Sequence, residues 1–145
     1  MATSLVLVAA TVVLHYGILL GCARWLPPGG GAKPHRVIVA IFAIIVAHAA
    51  EIWLLGFGYY VLADFEDLGA VIGKGSPLGV MDHVYFSGTV YSTVGFGDLY
   101  PMGPIRWMVV MEALTGLVMI TWSASFTFLY MQRDWPWGDE DRHVE

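Results

Sequence analysis

Thr93-Val94-Gly95-Phe96-Gly97-Asp98 is the stretch on which the reading of this chain turns. Gly95 and Gly97 stand at alternate positions, and glycine enters positive φ with no Cβ penalty. Alternating left- and right-handed backbone turns successive carbonyl oxygens to the same side of a strand. Four such strands around one axis would stack rings of oxygens, and such rings replace the water shell of a dehydrated cation. Val94 and Phe96 would then point away from the axis and pack against whatever precedes the strand. Irregular backbone of this kind lies at membrane depth only when it is buried in protein or lines a water-filled path.

The residues on either side fit that path. Val80-Met81-Asp82-His83-Val84-Tyr85-Phe86-Ser87-Gly88-Thr89-Val90-Tyr91 is an apolar run too short to span a bilayer, and its length predicts a re-entrant helix over 80–92. Ser76-Pro77 or Gly79 would start it. Further out lie three stretches long enough to cross with some tilt. They run from Leu5 to Leu26, from Val37 to Ala63 and from Ile105 to Met131. The link between the second and third is long for a loop without function.

Composition agrees. The 145 residues are 57% hydrophobic and 13% charged, where soluble domains carry about 25% charged residues. A soluble protein this small could not hide so much apolar surface. Seven Lys and Arg and a net charge of −5 argue against nucleic acid as a partner. One cysteine, Cys22, excludes an internal disulfide framework and a cysteine-based zinc site. Met1-Ala2-Thr3-Ser4 lacks the positive start of a secretory signal, so the first stretch reads as a retained helix, with Cys22 buried or facing lipid. The Pro/Gly-rich segment from Arg24 to Arg36 carries Arg24, Lys33 and Arg36 and no acid, which places it in the cytoplasm by the positive-inside rule. The N-terminus is then outside and the acidic tail inside.

Between Tyr85 and Pro101 the chain resembles the pore loop of potassium channels, with the signature Thr-Val-Gly-Tyr/Phe-Gly-Asp at Thr93 to Asp98. Flanked by two spans, it resembles the pore domain of bacterial two-helix potassium channels, with one N-terminal helix added. The resemblance implies an all-α membrane protein: three transmembrane helices, a re-entrant pore helix and a selectivity-filter loop, assembled as a homotetramer in membrane lipid. Its parts are an N-terminal helix and basic loop (1–36), a pore domain (37–131) and a cytoplasmic tail (132–145). Within the pore domain it implies an outer helix over 37–63, a pore helix over 80–92, a filter over 93–98 and an inner helix over 105–131. Potassium ions would sit on Thr93, Val94, Gly95, Phe96 and Gly97. Asp98, Tyr85 and Thr89 would support the filter. Gly116 aligns with a gating-hinge glycine, and Leu117, Ile120 and Ala124 would line the cavity. The implied function is passive, selective potassium conduction in the plasma membrane, with no reaction catalysed. Phe96 lacks the hydroxyl of the more common tyrosine, and Thr89 stands where some relatives carry a carboxylate. No arginine-rich voltage-sensing helix is present, and the tail is too short for a ligand-binding domain.

Four ionisable residues fall inside the spans, where they are costly and point to function. At 1.5 Å per residue, His15 lies about 15 Å, Glu51 about 17 Å and Glu112 about 10 Å below the outer ends of their helices, with His48 one turn from Glu51. All four are therefore expected near mid-membrane. Three readings stand side by side: a hydrogen-bond cluster that fixes packing, a pH sensor, or a divalent-metal site of His and carboxylate ligands. His83 and His143 read as interfacial or exposed, and His35 as part of the basic loop. Two functional rivals follow, a cation channel of relaxed selectivity and a membrane subunit whose His/Glu cluster senses protons or metal.

Overall fold

The computed structural model describes residues 2–25, 34–63, 65, 68–73 and 77–134. The elements run α1 (Ala2–Trp25), α2 (Pro34–Leu62), β1 (Ala70–Gly73), α3 (Val80–Tyr91), β2 (Leu99–Met102) and α4 (Arg106–Asp134). The basic loop after Trp25 and the tail, with His143, lie outside the described residues.

Three helices are long and apolar enough to cross a membrane: Thr3–Trp25, His35–Leu62 and Arg106–Gln132, with mean hydropathy 2.2, 2.4 and 1.5. They are the expected spans, shifted by a few residues at their ends. Many of their apolar residues face outward rather than into a core. Val13, Phe42, Val46, Val118 and Leu129 are all exposed on the outer faces. In water this would be costly, whereas in lipid it is the stable arrangement, because hydrocarbon solvates apolar side chains.

The short helix α3 is wedged between α2 and α4. It begins at Gly79, whose amide donates to Asp82 Oδ2 at 2.7 Å, so Gly79 and not Ser76-Pro77 supplies the start. Its inner face joins Leu55, Tyr59, Val71, Phe86, Tyr91, Ile105, Met108 and Met119 in one apolar core. Gly56 makes this possible, since a Cβ there would come within 2.6 Å of Val84 Cα.

One element is absent from the helical expectation. β1 and β2 form an antiparallel pair with Ala70 opposite Met102 and Gly73 opposite Leu99. The ladder ties the segment after α2 to the segment after Asp98, and Ile105 N–H donates to Leu68 O at 2.8 Å to extend the tie. Both ends of the re-entrant loop are thereby anchored.

Candidate functional site

The segment after α3 takes the alternating backbone that its glycines permit. Thr93, Gly95 and Gly97 have φ of 60°, 53° and 79°, while Val94 and Phe96 between them stay out of the left-handed region. The glycines accept this freely. Thr93 does not: a left-handed L-residue costs roughly 1–2 kcal/mol, and nothing in its identity announces that conformation. The structure offsets the cost locally. Thr93 N–H donates to Val90 O at 2.9 Å and Gly95 N–H to Thr89 O at 3.1 Å, so the last turn of α3 holds the strand's beginning.

Residues 92–98 are exposed on one side of the subunit. Val94 and Phe96 are 57% and 71% exposed, so in a single chain neither is packed away as the sequence led us to expect. Phe96 does stack on α3, its ring parallel to Tyr85 with centroids 6.5 Å apart. The Tyr85 hydroxyl donates to Asp98 Oδ2 at 3.0 Å. Partial desolvation and the Asp98 carboxylate push the Tyr85 phenol up, which keeps it a donor. Thr89 holds the strand through its backbone rather than its side chain. Its hydroxyl turns back to Phe86 O at 2.8 Å, and its contribution to the strand is the backbone carbonyl that receives Gly95.

Downstream, α4 is unbroken through Gly116. Gly116 is buried, whereas Leu117, Ile120 and Ala124 lie on the exposed face of the helix. Glu112 is fully buried on the opposite side. That separation follows from 100° per residue, which puts Glu112 about 140° from Leu117.

The intramembrane ionisable residues divide into two groups, correcting the expectation of a single one. His15, His48 and Glu51 come together. His15 Nδ1 lies 2.8 Å from Glu51 Oε1 and His48 Nδ1 lies 3.2 Å from Oε2. Two residues that the sequence did not single out complete this group. The Tyr91 hydroxyl bonds Glu51 Oε2 and lies 2.9 Å from His48 Nδ1. Ser123 Oγ lies 3.2 Å from His15 Nε2 and 3.1 Å from His48 Nε2. The His15 ring also packs on Trp122, with centroids 5.4 Å apart. All four helices thus meet at one buried polar node.

Glu112 stands apart because α4 carries it about 16 Å from the level of Ser123, eleven residues at 1.5 Å each. Its Oε1 accepts from Ser87 of α3 at 2.5 Å. Ser87 Oγ also reaches Ile52 O at 3.0 Å. The Tyr59 hydroxyl lies near the carboxylate, yet neither it nor Glu112 Oε2 completes a hydrogen bond. His83 is buried rather than exposed: its Nδ1 pairs with Gly79 O at 2.8 Å, and its ring meets Tyr60 edge-on. His35 is exposed in the first turn of α2, and Cys22 is buried.

Comparison with known proteins places this geometry. The family described as "Ion channel" matches residues 37–133. The inward rectifier potassium channel Kirbac3.1 of Paramagnetospirillum magnetotacticum is 26% identical over 100 residues, covering 68% of this chain and 34% of that protein. Protein LctB of Bacillus caldotenax is 45% identical over 38 residues, covering 26% of this chain and 28% of that protein. Protein LctB of Geobacillus stearothermophilus is 45% identical over 113 residues, covering 70% of this chain and 81% of that protein. The chain therefore spans only a minor part of the first two relatives and most of the third. No solved structure matches it.

Proposed function

The chain belongs to the bacterial potassium-channel pore-domain family, and on that premise we propose that four copies surround one axis and conduct potassium selectively and passively. Membership makes it a multi-pass membrane protein of an ion-channel family, a role other than catalysis. Potassium as the preferred ion, and the fourfold assembly, are our reading.

The observation that carries it is the alternation of backbone hand over Thr93, Gly95 and Gly97. Alternation aims consecutive carbonyls to one side, the arrangement needed to replace an ion's water shell. A single strand cannot enclose an ion, and the exposed residues 92–98 leave that side of each subunit uncovered. Cyclic symmetry closes such a ring with one kind of contact. The C-terminal end of α3, which carries partial negative charge, leads directly into the strand and favours a cation there. On this reading Thr93, Val94, Gly95, Phe96 and Gly97 offer the oxygens, and Asp98 with Tyr85 braces the outer end. Gly116 belongs to the moving helix, and Leu117, Ile120 and Ala124 face the axis. The basic residues Arg24, Lys33 and Arg36 orient the N-terminus outward and the tail to the cytoplasm.

Purified protein reconstituted into liposomes tests the proposal. A potassium gradient should drive uptake of a potassium tracer, and an equal sodium gradient should not. Equal fluxes of the two ions would establish the relaxed-selectivity rival, and no flux under either gradient in well-folded protein would remove the channel reading.

A further inference from the structure

We propose that His15, His48 and Glu51, with the Tyr91 hydroxyl beside them, form a divalent transition-metal site that clips α1 to α2 inside the membrane. This inference does not rest on conduction, since it concerns what the buried node binds.

Three donor residues converge. One ligand atom each from His15, His48 and Glu51 lies within 4.8 Å of the others. His15 and Glu51 are fully buried, and His48 is partly buried, its side chain 18% exposed. The two imidazoles share one orientation. Both turn Nδ1 toward the Glu51 carboxylate, at 2.8 and 3.2 Å. Both turn Nε2 toward the same Ser123 oxygen, at 3.2 and 3.1 Å.

Counting protons shows what this arrangement lacks. With neutral imidazoles and an ionised carboxylate, His15, His48, Tyr91 and Ser123 each bring one mobile proton. His15 Nδ1–H serves Glu51 Oε1, Ser123 O–H serves His15 Nε2, and His48 Nε2–H serves Ser123. The fourth, from Tyr91, serves Glu51 Oε2. His48 Nδ1 is then a bare lone pair, facing the Tyr91 oxygen at 2.9 Å and Glu51 Oε2 at 3.2 Å. Moving the protons to other tautomers only relocates the deficit. In a buried site, acceptors facing one another without a proton are costly.

A bound cation removes the conflict. Both rings then carry their proton on Nε2, and the two lone pairs of Ser123 Oγ accept both. This is the usual pattern of ligating histidines, whose remote N–H is held by a neighbouring oxygen. Both Nδ1 lone pairs, a carboxylate oxygen and the Tyr91 oxygen are left pointing inward. Four nitrogen and oxygen donors suit zinc or cobalt in tetrahedral coordination. The consequence is structural: the ion would fasten α1 to α2, and through Tyr91 it would fix the residue two before Thr93.

The test is metal content in purified protein. Cells are grown with added zinc or cobalt, and the detergent-solubilised full chain is washed through a chelator. One metal ion per chain is expected, with the visible absorption of tetrahedral Co2+ in the cobalt-grown sample. His15→Ala and His48→Ala should abolish both signals. Ser123→Ala should weaken retention about 10- to 100-fold, the usual effect of removing a ligand's support. Because a histidine variant can misfold, Glu51→Gln, which keeps the side chain's shape and size, is measured beside it and should also lose the metal. Metal-free wild-type protein overturns the proposal, as does metal that persists in both histidine variants. Metal-free protein whose thermal stability varies with pH in the wild type and not in Glu51→Gln overturns it in favour of a bound proton. None of these readouts depends on ion flux, so failure here and failure of the conduction reading are separable.

Discussion

Gly116 of α4 lies directly against the backbone carbonyl of Tyr91, the last residue of α3. A Cβ at Gly116 would collide with the Tyr91 oxygen and come within 2.9 Å of its carbonyl carbon and 3.1 Å of its Cα. All three are backbone atoms, which cannot swing aside as a side chain can. The helix α4 and the start of the strand that follows α3 are therefore packed in contact through a residue with no side chain.

This contact makes Gly116→Ala an informative substitution. In an unobstructed helix, Gly→Ala stabilises by about 1 kcal/mol. Here overpacking should reverse the sign, with a loss of roughly 1–3 kcal/mol per subunit. Thermal unfolding in detergent should show a lower midpoint, and flux should change with it. A higher midpoint would mean that Gly116 serves only as a flexible joint.

Gly95 and Gly97 should behave in the opposite way. Among the described residues, no atom beyond the flanking residues lies within 4 Å of a Cβ added at Gly95 or Gly97, so strain at positive φ sets the cost within the chain, roughly 1–2 kcal/mol each. Gly95→Ala and Gly97→Ala should retain fold and assembly yet lose potassium selectivity or conduction. Wild-type flux in Gly97→Ala would show that this strand is not the filter.

Assembly can be tested by mass. Light scattering in mild detergent should give about 64 kDa of protein, four times the 15.9 kDa of one chain. Potassium should protect the tetramer against heat better than sodium does, since an ion bound only by the assembled state stabilises it by mass action. A stable monomer in several detergents would contradict the proposed ring.

Glu112 offers a test of coupling between α3 and α4. It accepts from Ser87 at 2.5 Å, lies one turn from Gly116 and faces away from Leu117. Glu112→Gln keeps a polar partner for Ser87 and removes the ionisable group. Single-channel recording should show altered open probability with an unchanged potassium-to-sodium ratio. A changed ratio would place this carboxylate nearer the ion path than its packing indicates.

The sequence by itself determined what depends on local chemistry. Length and hydropathy mark the three spans, because a helix must be apolar over about 20 residues to cross. The glycine spacing at Gly95 and Gly97 announces the left-handed positions, because only glycine adopts them freely. The length of the Val80–Tyr91 run marks a helix that enters without crossing. Tertiary structure alone decided what depends on contacts between distant segments. The pairing of Ala70–Gly73 with Leu99–Met102 leaves little trace in residues that also serve as loop. Thr93 carries no mark of its positive φ, which α3 imposes through Val90 O. Glu112 looks like a partner for His48 and Glu51 by depth, but α4 carries it about 16 Å along its axis from the level of Ser123, where it meets Ser87 instead. Tyr91 and Ser123 enter the polar node only because α3 and α4 deliver them there, as ordinary-looking residues in apolar runs. Gly116 reads as a joint in one dimension and is a close contact in three, because a missing side chain shows its purpose only when the neighbouring backbone is in place.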